Sequence, residues 1–369
     1  MPVLYKSVIR PLLFRKDPEE SHEMILRMLA RLEFLYGTLE DFYKVEDERL
    51  IVKIGPLTFA NPVGLAAGFD KNALAPKMIS SFGFGFIEVG AITAEAQPGN
   101  PKPRLYRLPE DDALINRLGF NNEGAAAIAI KLDRLRARGG RPKIPLGMNI
   151  GRTKIVETQD AVADFLSCVE QLFPHGDFFT LNVSSPNTPN LRELQEKTLL
   201  RDLLSAVQER NHELSARTNI GLKPVFVKIA PDIEFSQVDE IIEVVEQAKL
   251  TGIVATNATA FMREGLKSPN GSQPGGLSGR PIAAMVTKFI AHIFQLTHGR
   301  LPIIGVGGIF TADDAYDKIK AGANAVQIYT GWVFEGPGAV KRINKGLLRL
   351  MERDGFKHVS EAVGSGVRR

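Results

Sequence analysis

The sequence is poor in the residues that most often bind metals or form covalent cross-links. It contains one cysteine, Cys168, which excludes an internal disulfide and any cysteine cluster for zinc or an iron–sulfur centre. The 6 histidines are scattered without the spacing of metal ligands. We therefore expect no metal, and any redox chemistry would depend on an organic cofactor.

Long apolar runs and dense basic clusters are also lacking. No run of about eighteen apolar residues occurs, so no helix is expected to span a membrane. The N-terminus has no signal-peptide pattern, and we expect the protein to stay in the compartment where it is made. The net charge of +4 permits an anionic substrate or an acidic membrane surface, whereas no basic run with interleaved aromatics points to nucleic acid.

The first 45 residues differ in composition from the rest of the chain. Residues 1–16 carry basic and apolar side chains but no acidic one, and Pro11 is expected to divide them. The sequence DPEE, which begins at Asp17, is a strong helix start. An apolar stripe follows at helical spacing and predicts an amphipathic helix that Gly37 can end.

This apolar stripe allows two interpretations. The helix can pack on the main domain. It can also lie on a membrane surface, because basic residues beside exposed apolar ones suit anionic lipid. In either case the sequence divides into an N-terminal helical extension, residues 1–45, and a larger domain, residues 46–369.

From about residue 60, short apolar runs alternate with stretches at helical spacing. The predicted strands are Val63–Phe69, Phe86–Thr93, Pro145–Ile150, Phe178–Val183, Val225–Ala230, Gly252–Thr256, Leu301–Val306 and Ala325–Tyr329. The predicted helices between them include Asp160–Phe173, Thr198–Glu213, Gln237–Ala248, Ile282–Gln295 and Ala312–Ala321. Apolar strands separated by helices imply a parallel sheet, and eight such units favour a closed (β/α)₈ TIM barrel. The long connections, 94–144 and 184–223, are then expected to be insertions at the ends of the barrel.

The strands of this predicted barrel end in polar residues and glycines. A barrel of this kind carries its active site at the carboxyl ends of the strands. One amide at such a position is usually a turn former, but eight polar ends converging on one face indicate a site. The strand ends contain Lys71, Asn149, Asn182, Ser185, Asn187, Lys228, Thr256, Asn257, Gly307, Gly308, Tyr329 and Thr330.

The last two strand ends indicate a phosphate group. Gly307 and Gly308 allow backbone N–H groups to approach an anion, and Tyr329 to Gly331 can complete the cradle. The loop Gly275–Gly279 is expected to add another phosphate-facing turn. The nucleotide fingerprint G-x-G-x-x-G is absent, so the motif alone is weak and its position in the barrel carries the inference. The inferred ligand is a phosphorylated cofactor.

Lys228 lies within an apolar strand, where an unpaired charge is costly. It can reach solvent from the strand end. It can form a Schiff base, as in barrel aldolases. It can also supply a fixed positive charge beside a flavin. The residue by itself leaves these three interpretations open.

The fourth strand end and the segment Asn116–Asn121 are rich in amides, which suit a flat ligand with alternating donors and acceptors. Lys71 is available for a carboxylate. Neither group contains a histidine or a carboxylate base, so Ser185 is the best candidate, although a serine hydroxyl needs help to accept a proton. Alternatively, Ser185 only bonds a local backbone group.

These motifs resemble one family. The segments GLAAGFDKN, QPGNPKPRLYRLPED, INRLGFNN, NVSSPNTPNLR, ATNAT, GGLSGRP, IIGVGGI and VQIYTG occur in the order and spacing of dihydroorotate dehydrogenases, from about residue 50 to residue 340. The resemblance implies a (β/α)₈ barrel with FMN at its C-terminal mouth, and it assigns roles by position. The implied FMN contacts are Ala67, Gly68, Asn149, Asn182, Lys228, Thr256, Gly279, Gly308, Tyr329 and Thr330. The implied dihydroorotate and orotate contacts are Lys71, Asn116, Arg117, Leu118, Gly119, Phe120, Asn182, Asn187 and Asn257.

The resemblance also implies a mechanism and an electron acceptor. Ser185 corresponds to the base that takes the C5 proton, with Thr188 and Phe120 as its supporting neighbours. Serine in place of cysteine is typical of the membrane-associated class that reduces a quinone. Residues 1–45 then resemble the helical extension that forms a quinone tunnel, with His22, Arg107 and Tyr329 near its inner end. A peripheral protein on the cytoplasmic face of a bacterial inner membrane is implied, with lipid contact but no nucleic acid.

Two positions depart from the family pattern. Ala91 and Ala258 replace hydroxyl residues that are common in the family, so we assign neither a side-chain role.

Three other functions are compatible with parts of the sequence. Another flavin barrel would usually need a cysteine acid. A phosphate-binding aldolase or isomerase would use Lys228 covalently. A non-catalytic membrane scaffold would leave the polar strand ends without an explanation.

Overall fold

The computed structural model describes residues 4–367, so residues 1–3 and 368–369 of the two predicted domains lie outside the described residues. In chain order the strands are β1 (Val52–Ile54), β2 (Leu57–Phe59), β3 (Val63–Asp70), β4 (Phe86–Ile92), β5 (Leu105–Leu108), β6 (Ala113–Asn116), β7 (Leu146–Ile150), β8 (Phe178–Asn182), β9 (Val225–Ile229), β10 (Gly252–Ala255), β11 (Gly276–Gly279), β12 (Ile303–Val306) and β13 (Ala325–Ile328).

The α-helices are α1 (Arg10–Phe14), α2 (Pro18–Arg31), α3 (Tyr36–Tyr43), α4 (Pro76–Ser80), α5 (Ala125–Ala137), α6 (Ala161–Leu172), α7 (Lys197–Thr218), α8 (Phe235–Gln247), α9 (Ala283–Thr297), α10 (Ala312–Lys320), α11 (Thr330–Glu335), α12 (Ala339–Asp354) and α13 (Val359–Ala362). A π-helix covers Tyr5–Ile9. Short 3₁₀ helices cover Glu33–Leu35, Glu48–Leu50, Pro109–Asp111, Thr158–Asp160, Leu191–Gln195 and Arg280–Ile282.

Eight parallel strands close into a barrel in the order β10-β12-β13-β3-β4-β7-β8-β9. The predicted (β/α)₈ fold is confirmed, because each of the eight apolar runs supplies one of these strands. The five predicted helices are present as α6 to α10. The long connections 94–144 and 184–223 each contain a barrel helix, α5 or α7, of which the second was predicted, together with inserted residues that include β5 and β6 in the first connection.

The interior of the barrel changes from apolar to polar toward its carboxyl end. Side chains two positions apart on a strand share a face, so the inward residues form layers. Phe86, Phe178 and Phe226 form the lower layer, and Phe59 stacks on Phe86 with a centroid distance of 4.1 Å. Two positions along the same strands stand Glu88, Thr180 and Lys228, all buried. The apolar layer closes the bottom of the barrel, and the polar layer forms the floor of its mouth.

The N-terminal segment is helical on both sides of Pro11, which lies in the first turn of α1, directly after the π-helix ends at Ile9. Asp17 caps α2 as predicted, because its carboxylate accepts hydrogen bonds from the N–H groups of Glu19 and Glu20 at 2.9 and 3.0 Å. The helix ends at Arg31, and Gly37 lies inside α3, so the expectation that Gly37 ends the first helix was wrong. The intervening turn redirects the chain and buries one face of α3 against the barrel.

A small antiparallel sheet, in the order β11-β6-β5, lies outside the barrel. The loop Gly275–Gly279, expected to be a phosphate-facing turn, instead contains strand β11, which pairs with β6 from Gly276–Asn116 to Gly279–Ala113. The sequence reading failed because four residues rich in glycine carry no strand pattern. This sheet brings five residues to the mouth of the barrel: Leu105, Leu114, Asn116, Ser278 and Gly279.

Candidate active site

A cavity at the carboxyl end of the barrel brings most of the predicted site residues together. Its lining includes Ala67, Gly68, Lys71, Asn116, Leu118, Gly119, Phe120, Asn182, Ser185, Asn187, Lys228, Thr256, Asn257, Gly279, Gly308, Tyr329 and Thr330. Residues that the sequence reading did not single out also line it: Ala66, Leu105, Leu114, Ser278, Ile282, Val306, Ile309, Gln327 and Ile328. We call this space the polar cavity.

Two predicted contacts do not line the polar cavity. Asn149 is fully buried one layer deeper, where its amide nitrogen donates to Glu88 at 3.1 Å and its oxygen accepts from Asn182 at 3.1 Å. The guanidinium of Arg117 donates to the carbonyl of Pro274 at 3.1 Å, away from the cavity. The side chain of Asn149 therefore acts on the cavity through Asn182, and any ligand contact of Arg117 would come from its backbone.

The part of the polar cavity near β12 and β13 is shaped by glycine. Gly279 and Gly308 have φ angles of 106° and 70°, a region that side chains rarely adopt. A Cβ atom at Gly308 would collide with Ala283, and one at Gly279 would collide with the backbone of Asp112. Ser278 and Thr330 share a hydrogen bond of 2.9 Å at the edge of this surface. The result is a concave backbone surface with adjacent hydroxyls, which suits a phosphate.

Lys228 lies inside the barrel, with 5% of its surface exposed. Burial lowers the pKa of its ammonium group, and the carboxylate of Glu88 opposes this effect. Its ammonium has no hydrogen-bond or ion-pair partner within residues 4–367. The cavity therefore offers a cation to whatever ligand it contains, and the interpretation of Lys228 as a solvent-reaching residue does not agree with this position.

The opposite part of the polar cavity carries the amides. The amide nitrogen of Asn187 donates to the carbonyl of Asn116 at 3.0 Å. The Ser185 hydroxyl accepts from the N–H of Asn187 at 3.3 Å, so it has a local backbone contact as well as a place on the cavity wall. Burial lowers the pKa of Lys71 to about 8, although Glu19 opposes the shift. The Oγ1 atom of Thr188, outside the lining, is buried without a hydrogen-bond partner.

A second cavity lies between the N-terminal segment and the barrel, and we call it the apolar cavity. It contains the three residues predicted for the acceptor site, His22, Arg107 and Tyr329. Its lining is otherwise largely apolar: Tyr5, Ile9, Leu13, Phe14, Pro18, Ser21, Ile25, Met28, Leu29, Phe69, Phe82, Leu105, Leu114, Trp332, Val333, Gly336 and Pro337. Leu105, Leu114 and Tyr329 line both cavities.

Several polar side chains of the apolar cavity are bonded to the protein itself, whereas the Nε1 atom of Trp332 is buried without a hydrogen-bond partner in the described chain. His22 Nε2 lies 2.6 Å from the carbonyl oxygen of Phe69, and burial lowers the pKa of this histidine to about 3, so the ring is neutral. Arg107 donates to the carbonyl of Lys16 at 2.8 Å. Burial raises the pKa of Tyr329, which keeps its phenol protonated. The cavity thus presents mainly apolar surface, with no ionised group other than Arg107 among its predicted residues.

Polar contacts attach the N-terminal segment to the barrel. The Tyr5 hydroxyl donates to the Val333 carbonyl at 2.7 Å, and Lys6 pairs with Glu335 at 2.5 Å. On α2, Glu19 pairs with Arg104 at 2.7 Å, with side chains only 7% and 8% exposed. Apolar side chains of the same segment are exposed: Leu4, Val8, Leu12 and Met24 lie outside the apolar cavity, whereas Ile9 and Met28 also line it. In the described part of the chain, no helix is long and apolar enough to cross a membrane.

The chain is similar to known proteins over nearly its whole length. The family model for dihydroorotate dehydrogenase matches residues 49–351. A dihydroorotate dehydrogenase (quinone) of Gloeobacter violaceus is 48% identical over 98% of both chains, and one of Deinococcus deserti is 45% identical over 98% of this chain and 99% of the relative. Two crystal structures of dihydroorotate dehydrogenase from Eimeria tenella, one with ferulenol and one ligand-free, are each 38% identical, with TM-scores of 0.85 and 0.86. The alignments cover 95% and 96% of this chain, and 95% and 100% of the Eimeria chains.

Proposed function

This chain belongs to the dihydroorotate dehydrogenase family, in its quinone-dependent class, and on that premise we propose how its two cavities divide the reaction. The reaction is the oxidation of (S)-dihydroorotate to orotate in the biosynthesis of UMP, with a quinone as the electron acceptor. The observation that supports the division is the shared wall: a polar cavity with an unpartnered lysine meets an apolar cavity at Tyr329, Leu105 and Leu114.

FMN is the proposed flavin of the polar cavity. Gly279, Gly308 and Thr330 would hold its phosphate, because the two glycines line the cavity without a side chain and Thr330 adds a hydroxyl beside them. Lys228 and the buried, unpartnered Oε1 atom of Gln327 would face its polar ring edge. When bound, FMN supplies a two-electron acceptor for the hydride at C6 of dihydroorotate.

The amides and Ser185 are the proposed substrate site. Asn116, Asn187 and Asn257 would bind the flat pyrimidine ring and its carbonyl groups, and the ammonium of Lys71 would bind a carboxylate. Ser185 would take the C5 proton on its Oγ atom. Ser185 is buried and lines the same cavity as Phe120, which would help to limit water there, and Thr188 offers an unpartnered hydroxyl nearby in the chain for passing the proton on.

The apolar cavity is the proposed quinone site, with His22, Arg107 and Tyr329 at its inner end. The exposed apolar side chains of the N-terminal segment, beside Lys6 and Arg10, would contact the lipid surface that holds the quinone. We propose residues 1–45 as this membrane and quinone extension and 46–369 as the catalytic domain. The location would be peripheral, at the cytoplasmic face of a bacterial inner membrane. A Schiff-base aldolase using Lys228 is not favoured, because the family performs redox chemistry.

The visible spectrum of the purified protein tests this function. We expect a yellow protein whose flavin absorbance is bleached by dihydroorotate without oxygen and is restored by a short-chain quinone. Borohydride with an aldehyde or ketone substrate should trap no adduct on Lys228. A colourless protein, or a flavin that dihydroorotate does not reduce, would contradict the proposal.

A further inference from the structure

Glu88 is a fully buried carboxylate beneath the polar cavity, and the mechanism above does not use it. Three donors converge on it: the amide nitrogen of Asn149 at 3.1 Å, the hydroxyl of Thr180 at 3.1 Å and the amide nitrogen of Gln327 at 2.7 Å. Asn149 bonds one carboxylate oxygen, whereas Thr180 and Gln327 bond the other. An ionised carboxylate only accepts hydrogen bonds, so both amides must turn their NH₂ groups toward it.

The direction of each amide determines what reaches the cavity. With its nitrogen on Glu88, Asn149 turns its oxygen to the amide nitrogen of Asn182 at 3.1 Å, and the oxygen of Asn182 accepts from Asn257 at 3.2 Å. Gln327, which lines the cavity, is left with a buried oxygen that has no partner in the described chain. On one side, the Glu88 carboxylate thus leaves the amide oxygen of Gln327 as an acceptor for the cavity. On the other side, it sets the direction of the three linked amides of Asn149, Asn182 and Asn257.

The two sides differ in how firmly their direction is fixed. The amide chain is also held at its far end, because the backbone N–H of Ala258 donates to the oxygen of Asn257 at 2.8 Å. Gln327 has no second contact that would fix its direction, because its oxygen is unpartnered. If Glu88 could no longer accept at both oxygens, Gln327 would therefore be the amide that reverses.

We propose that Glu88 is a positioning residue, whose two accepting oxygens keep the amide oxygen of Gln327 facing the bound FMN and keep Asn149 aligned with Asn182. This inference rests on the proposed flavin site. It also assigns a reason for a carboxylate, rather than any polar group, at the centre of the barrel: only a group that accepts on both sides can orient both amides.

Glu88→Gln tests the proposal, because the substitution keeps the shape but makes one side a donor. The introduced amide oxygen can still accept from Asn149, whereas the introduced NH₂ group would face Gln327 and force that amide to turn its own NH₂ group into the cavity. We expect FMN to bind about tenfold more weakly, the cost of one buried mispaired hydrogen bond. The orotate dissociation constant should change by less than about threefold, because Ala258 still holds the amide chain.

FMN affinity is measured by diluting the holoenzyme and following the fluorescence of released flavin, and orotate affinity by titrating the holoenzyme's visible spectrum. The double variant Glu88→Gln with Gln327→Glu should return FMN affinity to within about threefold, because the carboxylate introduced on β13 would accept from the amide introduced on β4 and still present an oxygen to the cavity. Thr180→Val is the control for lost stability, since a hydroxyl can donate or accept and fixes no direction. It should lower the melting temperature without changing either affinity more than about twofold.

These outcomes separate the inference from the proposed function. A wild-type protein that binds no FMN would overturn the proposed function. Normal FMN binding by the wild type, with equal FMN affinity in Glu88→Gln, would overturn the role of Glu88 alone. A double variant no better than the single variant, or a Thr180→Val protein with the same loss of FMN affinity as Glu88→Gln, would also overturn it.

Discussion

The polar and apolar cavities meet at one wall but differ in the kind of polar atom that each leaves without a partner. In the apolar cavity, His22, Arg107 and Tyr5 are bonded to backbone carbonyls of the protein, and one neutral donor, Nε1 of Trp332, is left without a partner in the described chain. In the polar cavity, the ammonium of Lys228 and the Oε1 atom of Gln327 have no partner within residues 4–367. Buried polar groups without partners are costly, so the polar cavity is built to be completed by its ligands.

This difference teaches that the two halves of the reaction make different demands on the protein. Oxidation of the substrate needs a proton acceptor and amides at fixed positions. Reduction of an apolar acceptor needs volume and an apolar wall. We therefore expect substitutions in the polar cavity to cause large losses, and most substitutions in the N-terminal segment to cause graded ones.

The largest expected effect comes from removing the proposed base. Ser185→Ala should lower the rate of flavin reduction by dihydroorotate by roughly 10²- to 10⁴-fold, because the C5 proton would have no acceptor. Stopped-flow absorbance without oxygen measures this step. FMN content and the orotate dissociation constant serve as controls and should stay within about threefold. Reduction at the wild-type rate would assign the base elsewhere.

The next effect concerns the ion pair that joins the two regions. Glu19→Gln should lower the free energy of unfolding by about 3 kcal/mol, because Arg104 would keep a buried charge without its partner. The matched control is Glu23→Gln on the same helix, which breaks the exposed pair with Arg27 and should cost less than about 0.5 kcal/mol. Urea unfolding of both variants at pH 7 measures the two losses of free energy of unfolding. Equal losses would mean that the burial of the Glu19–Arg104 pair makes no difference to stability.

The pH dependence of the wild type follows from the same pair. Burial raises the pKa of Glu19, but the hydrogen bond and charge of Arg104 outweigh it, and the net pKa is lowered. A lowered folded-state pKa contributes stability that is present above the unfolded value of about 4.3 and is lost as the pH falls through the folded value. The free energy of unfolding of the wild type should therefore approach that of Glu19→Gln as the pH falls below about 5. Urea unfolding at several pH values measures this difference.

A smaller effect is expected inside the apolar cavity. Ile25→Gln should raise the KM for a short-chain quinone by about tenfold, because a polar amide replaces apolar wall. Flavin reduction by dihydroorotate should be unchanged. Met24→Gln, the adjacent residue on α2 but outside the cavity lining, is the matched control in detergent solution. An equal change in both variants would remove the cavity from the quinone pathway.

The smallest effect tests a contact of the N-terminal segment with α11. Tyr5→Phe deletes the hydroxyl that donates to the Val333 carbonyl but keeps the ring in the cavity. The cost should be about 1 kcal/mol or less, and the quinone KM should change less than about threefold. Steady-state kinetics at several quinone concentrations measure it. A loss as large as that of Ile25→Gln would show that the polar contact, and not the apolar surface, controls the site.

The barrel could be predicted because apolar runs and stretches at helical spacing alternate along the chain, and each of the eight apolar runs contains one barrel strand. Cavity-lining residues such as Lys71 and Asn187 were visible as polar residues that follow apolar runs. Glu88 is also a charge within an apolar strand, but it was not singled out. It lies in an interior layer of the barrel and not at a strand end, where the active site of such a barrel is expected. Its inward direction follows from its two-residue spacing to Phe86, and this period was the available signal.

The remaining features depend on contacts that one sequence does not encode locally. Strand β11 exists because Gly276 to Gly279 pair with β6, more than 150 residues earlier in the chain. Helix α2 ends at Arg31 with Leu32 as its C-cap, where the sequence offers neither glycine nor proline, and Gly37 lies in the following helix. The unpartnered oxygen of Gln327 follows from a hydrogen bond to Glu88 across the barrel, 239 residues away.

The wall formed by Tyr329, Leu105 and Leu114 has a consequence for inhibition kinetics. Under the proposed division each substrate has its own cavity, so a compound that fills one cavity should compete with a single substrate. Orotate analogues should then give competitive patterns against dihydroorotate, and apolar compounds should give them against the quinone. The two classes of inhibitor can occupy the protein together, and resistance acquired against one would leave sensitivity to the other intact.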